Sequence, residues 1–178
     1  MQIILISGKA EAGKTTTAKI LKDELEKDYG KKVLLTNFAG TLKFICKNFF
    51  NWNGEKDEAG RALLQRIGTD IVRKKDPDFW VNFMKSVLEL FYDEWDCVLI
   101  DDVRFENEIS LIKSAFDCVT TLRIERPNYL NHLTFEQRQH PSETSLDNFK
   151  FDFTILNPGD DRLKTLTSIF LDKYAVKG

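Results

Sequence analysis

Gly8-Lys9-Ala10-Glu11-Ala12-Gly13-Lys14-Thr15 constrains this chain more than any other stretch. It follows directly on the apolar run Ile3-Ile4-Leu5-Ile6-Ser7 and opens a helical pattern. The spacing G-x-x-x-x-G-K-[ST] has a mechanical basis. The glycines let backbone N–H groups curl around a phosphate, Lys14 can reach the β- and γ-phosphates, and the Thr15 hydroxyl can ligate Mg²⁺. The helix that starts there aims the positive end of its dipole at the same anion. A strand before and a helix after are the context a P-loop requires, so Gly8 to Thr15, with Thr16 behind it, forms a candidate ATP-binding loop.

The order of the remaining patterns is that of a layered α/β domain. Residues 2–7 are apolar on both faces, as in the centre of a parallel sheet. Ala18, Leu21 and Leu25 recur at helical spacing until Gly30, and Val33-Leu34-Leu35-Thr36 reads as a second strand joined by a right-handed crossover. Helical patterns over about 40–51, 56–75 and 78–94 follow, with Asp78 as the N-cap of the last. Asp96-Cys97-Val98-Leu99-Ile100-Asp101-Asp102 is a third buried strand, followed by a short helix over about 105–115 and a strand over about 118–125. The polar stretch 126–149 lacks strong periodicity and is a candidate lid. A strand over 151–156, the turn Asn157-Pro158-Gly159 and a terminal helix carrying Leu163, Leu166, Phe170 and Tyr174 complete the pattern. The expected fold is three-layered: a central parallel sheet flanked by helices, with a helical insertion over about 38–94 and a lid, all in one domain over 1–178.

Bulk properties narrow the function classes. A net charge of −2 in 178 residues argues against a generic nucleic-acid binder, so clustered cations are expected to meet a small anion. No apolar run approaches the ~18 residues of a membrane span, and no secretory leader is expected at the start. Cys46, Cys97 and Cys118 lie far apart in apolar surroundings, the pattern of reduced core residues in a cytoplasmic protein. Two histidines and no paired cysteines argue against a zinc site. The missing N-K-x-D run argues against a GTPase.

Several side chains are placed to do chemistry. Asp101 and Asp102 end a strand where P-loop enzymes position a carboxylate near Mg²⁺; either can serve, and strand alternation allows one to point inward. Arg104 sits just past that strand, either on a phosphate or on the acidic pair Glu106 and Glu108. Arg66, Asp70 and Arg73 fall on one helical face, with Leu63, Leu64, Ile67 and Ile71 as the buried stripe, and form either a phosphate-binding fork or an exposed ion-pair ladder. Arg126, Arg138, His132, His140, Ser142 and Glu143 lie in the lid candidate, where arginines can neutralise a transferring phosphoryl group. Phe38, Trp80 and Phe83 are candidates to stack a flat base, with core packing as the competing role.

Taken together these stretches resemble the phage-type deoxynucleoside monophosphate kinases of the P-loop class. The resemblance runs nearly end to end: the P-loop; Phe38-Ala39-Gly40-Thr41-Leu42-Lys43; Leu64 to Arg73 followed by Asp76-Pro77-Asp78-Phe79-Trp80; Ile100 to Glu108; and His140-Pro141-Ser142-Glu143. Animal phosphomevalonate kinases look similar in the same places, including Leu146-Asp147-Asn148-Phe149. The resemblance implies transfer of the γ-phosphoryl of ATP-Mg²⁺ to a deoxynucleoside 5′-monophosphate. In that reading Lys43, Arg66, Asp70, Arg73, Arg104 and Glu143 hold the acceptor, Trp80 lines the base pocket, and Lys14, Arg104, Arg126 and Arg138 act on the phosphates. A phosphomevalonate-type kinase and a non-catalytic nucleotide-binding module are the alternatives. Gly40-Thr41 departs from the proline found there in many relatives but leaves Lys43 in register. The implied location is cytoplasmic, that of the host for a phage-encoded chain. The accepted bases, the sugar and a homodimeric state stay open.

Overall fold

The computed structural model describes residues 1–174, Tyr174 by its backbone alone, so the place expected for its side chain lies outside the described residues. Five parallel strands, β1 (Gln2–Ser7), β2 (Val33–Asn37), β3 (Cys97–Val103), β4 (Val119–Glu125) and β5 (Phe153–Leu156), form one sheet in the order β2-β3-β1-β4-β5. Helices α1 (Lys14–Lys27), α2 (Ala39–Phe49), α3 (Glu58–Gln65), α4 (Phe79–Leu90), α5 (Glu106–Ala115), α6 (Phe135–Gln139), α7 (Pro141–Thr144) and α8 (Arg162–Tyr174) connect and cover it.

The three layers follow from strand alternation. Ile4, Ile6, Cys97 and Leu99 pack with Leu21 and Leu25 of α1 and Phe170 and Leu171 of α8. Ile3, Leu5, Val98 and Ile100 point the other way, onto Val81, Met84 and Leu88 of α4 and Ile109 and Ile112 of α5. Loops at the carboxyl ends of β1 and β3 leave toward opposite faces, which opens a crevice between them where open α/β sheets bind ligands.

One expected helix is in fact two. After α3 the backbone continues as a π-helical segment, Arg66–Arg73. Gly68 lies within it; a Cβ there would come within 2.6 Å of Leu42, so the missing side chain lets α2 pack directly on the segment's backbone. The altered winding redistributes the faces. Leu63, Leu64 and Ile67 join Cys46 and Trp52 in a satellite core, whereas Ile71, expected in the same stripe, is exposed.

Three smaller expectations are also revised. Cys46 and Cys97 are buried, but Cys118 is exposed, because it belongs to the turn before β4 and only its carbonyl is engaged, by the Ile3 N–H at 2.8 Å. Asp78 occupies the N-cap of α4 without capping; its Oδ1 accepts instead from Asn107 Nδ2 at 2.7 Å, joining α4 to α5. The stretch 126–149 is ordered by α6 and α7, where Thr134 and Gln137 form a reciprocal capping box. No helix among the described residues is long and apolar enough to cross a membrane.

Candidate active site

The loop after β1 is shaped by close approach. A Cβ at Gly8 (φ 154°) would lie 2.4 Å from the Ile124 carbonyl oxygen, and one at Gly13 (φ 103°) 2.4 Å from Asn157 Nδ2. Asn157, buried at the end of β5, donates to the Ala12 carbonyl at 2.8 Å and so fixes the loop from behind. Glu11 takes a left-handed conformation (φ 64°) at the apex and accepts from His132 Nδ1 at 2.9 Å and Tyr129 at 3.3 Å. Ala10, Glu11, Gly13, Lys14, Thr15 and Thr16 line a cleft, together with Arg126 and Asn157. Lys9 is turned away from it, onto Asp147 and the Glu143 carbonyl.

Lys14 is buried and donates to the Gly8 and Lys9 carbonyls at 2.9 and 2.8 Å. Burial, and then the charge of Arg104, lower its pKa to about 8 despite the ion pair with Asp102 at 3.2 Å. Thr15 Oγ1 donates to Asp101 Oδ2 at 2.8 Å. Burial raises the Asp101 pKa, opposed by that hydrogen bond.

Both carboxylates reach the loop, although alternation over a regular strand would send one of them away. Register explains it: Leu5 pairs with Ile100 but Ser7 with Val103, so β3 advances three residues where β1 advances two. The extra residue forms a bulge in which Asp102 has φ 64°. Val103 consequently packs on the same face as Ile100, and Asp102 swings round to Lys14 and Arg104. Burial works against the Asp102 carboxylate, yet Arg104 and Lys14 hold it well below the usual range.

A second cavity adjoins the first, walled by Phe38, Leu42, Trp80 and Phe105 and carrying Lys43, Arg73 and Arg104 as cations. Trp80 is buried, its indole N–H donating to the Gly68 carbonyl at 3.1 Å. Arg73 stacks on Phe105, 3.9 Å from its centroid, and pairs with Glu108. The other Glu108 oxygen accepts from the backbone N–H of Arg104 at 2.6 Å and of Phe105 at 3.1 Å. Arg104 is half-buried among anions: its Nε donates to Asp102 at 2.7 Å and its Nη1 to Glu143. These charges raise its pKa against the opposing effect of burial. Glu143 also accepts the Ala10 N–H at 2.9 Å, which latches α7 to the loop. Lys43 is half-buried, and burial followed by the charge of Lys56 lowers its pKa.

Not every expected residue converges here. Arg66 and Asp70 are exposed and line neither cleft, because the π-helical winding presents Gln65, Thr69 and Arg73 to the cavity in their place. Phe83 is 48% exposed and points elsewhere. Arg126 lines the first cleft and stacks on Tyr129 at 3.9 Å, whereas Arg138 on α6 lines neither cleft. Glu108, Asn157, Lys56, Arg61 and the buried Arg123 escape a reading by spacing. Arg123 lies on β4 and reaches Ser7 Oγ at 3.3 Å.

The sequence model of the deoxynucleotide monophosphate kinase family matches residues 24–169, most of the chain. The chain belongs to that family. The matched span begins beyond Thr15, so the P-loop and the match are separate pieces of support. A protein of Acanthamoeba polyphaga mimivirus, provisionally named a deoxynucleotide monophosphate kinase, is 28% identical over 88% of this chain and 89% of its own. Among solved structures, a sugar kinase from Janibacter sp. superposes with a TM-score of 0.59 at 11% identity, covering 99% of this chain and 96% of that one. Thymidylate kinase from Ehrlichia chaffeensis superposes with a TM-score of 0.52 at 14% identity, covering 97% of each chain. Family and fold make this deoxynucleotide monophosphate kinase homologue a phosphotransferase of the P-loop kinase kind.

Proposed function

We propose that the protein transfers the γ-phosphoryl of ATP to the 5′-phosphate of a deoxynucleoside monophosphate, giving the diphosphate and ADP. The observation that carries this reading is the joining of two unlike clefts. One is a backbone anion cradle around Lys14; the other is an aromatic-walled cavity with Lys43, Arg73 and Arg104 inside, and Asp102 and Arg104 line both. A flat base fits against Phe38 and Trp80, and a phosphate fits the cations between them and the loop.

The acceptor oxygen is already anionic, so no strong base is required; it attacks the γ-phosphorus while the bond to the bridging oxygen breaks and ADP leaves with the electron pair. Lys14, which donates to the Gly8 and Lys9 carbonyls, would turn to the β- and γ-oxygens. Thr15 and Asp101 offer the hard oxygen donors that fit Mg²⁺, which when bound neutralises charge on those oxygens. Acceptor phosphate would compete with Glu143 for Arg104, coupling acceptor binding to movement of α7. In this reading residues 38–94 bind the acceptor and 126–149 act as the lid.

The test is ADP release with ATP and Mg²⁺ against the four deoxynucleoside monophosphates, their ribose forms and phosphomevalonate. Stimulation by at least one deoxynucleotide is expected. Stimulation by phosphomevalonate alone would replace the acceptor, and silence across the panel would remove the phosphotransfer reading.

A further inference from the structure

Two cations that spacing gave no reason to single out lie beyond α2: Lys56 in the segment before α3, and Arg61 on α3 itself. The cations of the two clefts sort by position: Lys14 and Arg126 line the donor side only, Lys43 and Arg73 the acceptor side only, while Lys56, Arg61 and Arg104 line both. A group that moves from one cleft to the other must pass the residues that line both. Of these three, Arg104 already has two of its nitrogens committed to Asp102 and Glu143. Arg61 is differently placed. Its Nε donates to the Lys56 carbonyl at 2.9 Å, and its Nη2 stands 3.6 Å from Glu11 at the apex of the loop, an ion pair without a hydrogen bond.

The support beneath Arg61 is built closely. Trp52 is buried in the satellite core and its indole N–H donates to the Glu55 carbonyl at 2.9 Å. Asp57 caps α3 through the Gly60 N–H at 2.7 Å. A Cβ at Gly60 would fall 2.1 Å from the Glu55 carbonyl oxygen, so the turn closes directly onto the first turn of the helix that carries Arg61. A guanidinium on a fixed backbone, tethered to the phosphate loop through Glu11, is prepared to meet charge as it develops.

We infer that Arg61 is a catalytic residue whose guanidinium neutralises the phosphoryl group in transit between donor and acceptor, with Lys56 beside it. The inference rests on the phosphotransfer reading above. In the transfer the Arg61 N–H groups contact equatorial oxygens of the γ-phosphoryl while the acceptor oxygen–phosphorus bond forms and the bridging bond breaks. The side chain gains and loses no proton.

The experiment compares wild type, Arg61→Ala and Arg61→Lys with the acceptor found active for wild type. Arg61→Ala is expected to lower kcat about 10²- to 10³-fold while the KM for ATP and for the acceptor move less than about threefold. Arg61→Lys, which keeps the charge and loses the fork, is expected to fall between the two. A second readout is the complex of ADP, Mg²⁺, aluminium fluoride and acceptor: wild type binds this mimic more tightly than ADP with acceptor, and Arg61→Ala loses that gain. An unchanged kcat, or a loss confined to KM with the mimic still bound tightly, overturns the inference and leaves the phosphotransfer reading intact. If Arg61→Ala does not fold, an Arg61→Lys variant with wild-type kcat and mimic affinity overturns it equally. A wild type silent towards every deoxynucleotide removes the reading itself.

Discussion

The two clefts of this kinase-family protein are built in opposite ways. The first cleft, the donor side in the proposed reading, is made largely by one continuous loop whose backbone N–H groups would do the binding, with β1 before it and α1 after it. The second cavity, the acceptor side in the proposed reading, is made by side chains from α2, α3, the π-helical segment, α4, the end of β3 and α7, and two of its cations, Arg73 and Arg104, are held by Glu108 and Glu143. A backbone site depends on spacing over a few residues. A side-chain site depends on how distant elements settle against one another. The first should therefore break at single residues with little effect on the other side, and the second should break through residues that never touch substrate.

The largest effect is expected at Lys14. In the proposed reading, replacing it with Ala removes the buried amine that would follow charge onto the γ-phosphate, and kcat should fall by on the order of 10³-fold or more. Acceptor binding and the cooperative thermal transition should persist, because Asn157 and Glu143 hold the loop from outside when the Lys14 bonds to the Gly8 and Lys9 carbonyls are lost. Steady-state kinetics and thermal denaturation check this; a near-normal kcat would detach the loop from the chemistry.

A smaller and one-sided effect is expected at Glu108. One of its oxygens holds Arg73 and the other the backbone N–H groups of Arg104 and Phe105. Glu108→Gln keeps an acceptor oxygen for the turn but removes the charge that aligns Arg73, so KM for the acceptor should rise about tenfold while KM for ATP stays within twofold. Initial rates with each substrate varied in turn measure the split. An equal rise in both constants would mean that Glu108 serves the whole domain rather than the acceptor side.

The contrast between the clefts also marks what the amino-acid order reveals. The loop, the parallel strands and the amphipathic α1 and α8 are legible because each is a local period or a local spacing. The pairing of Asp101 with Asp102 is not, because the bulge that turns both inward is a matter of register between β1 and β3, with no strong turn residue to announce it. The π-helical segment is hidden for the same reason. Its sequence fits an ordinary helix, and the packing of Leu42 against Gly68 accompanies the different winding that moves Arg66 and Asp70 off the cavity. Glu108 is hidden as well: it stands at the third position of α5, but the N-cap is Phe105, whose ring offers no oxygen to complete a capping box, so no spacing sets it apart from Glu106. The capping box at Thr134 and Gln137, with its Thr-x-x-Gln spacing, is legible. Lys56 and Arg61 had no such signal, since nothing local says that the segment after α2 and the start of α3 will fold back across the crevice.

The finest test of the donor side is its response to pH. Burial lowers the Lys14 pKa to about 8, whereas an unfolded lysine titrates at about 10.4. Below pH 8 the amine is protonated in both states, and its burial opposes folding in full. Between 8 and about 10.4 the unfolded chain binds the extra proton and the folded one does not, so this group's unfavourable contribution shrinks as pH rises. Lys14→Met removes the effect, and the stability difference between mutant and wild type should narrow over that window and be flat below it. Denaturant midpoints at pH 7, 8, 9 and 10 measure the difference directly. Bound ATP supplies negative charge to the same amine, so the limb should move to higher pH when the donor cleft is filled. A limb that ATP leaves in place would mean that Lys14 does not leave its carbonyl partners to meet the phosphates, and the independence assigned to the donor cleft would have to rest on the backbone alone.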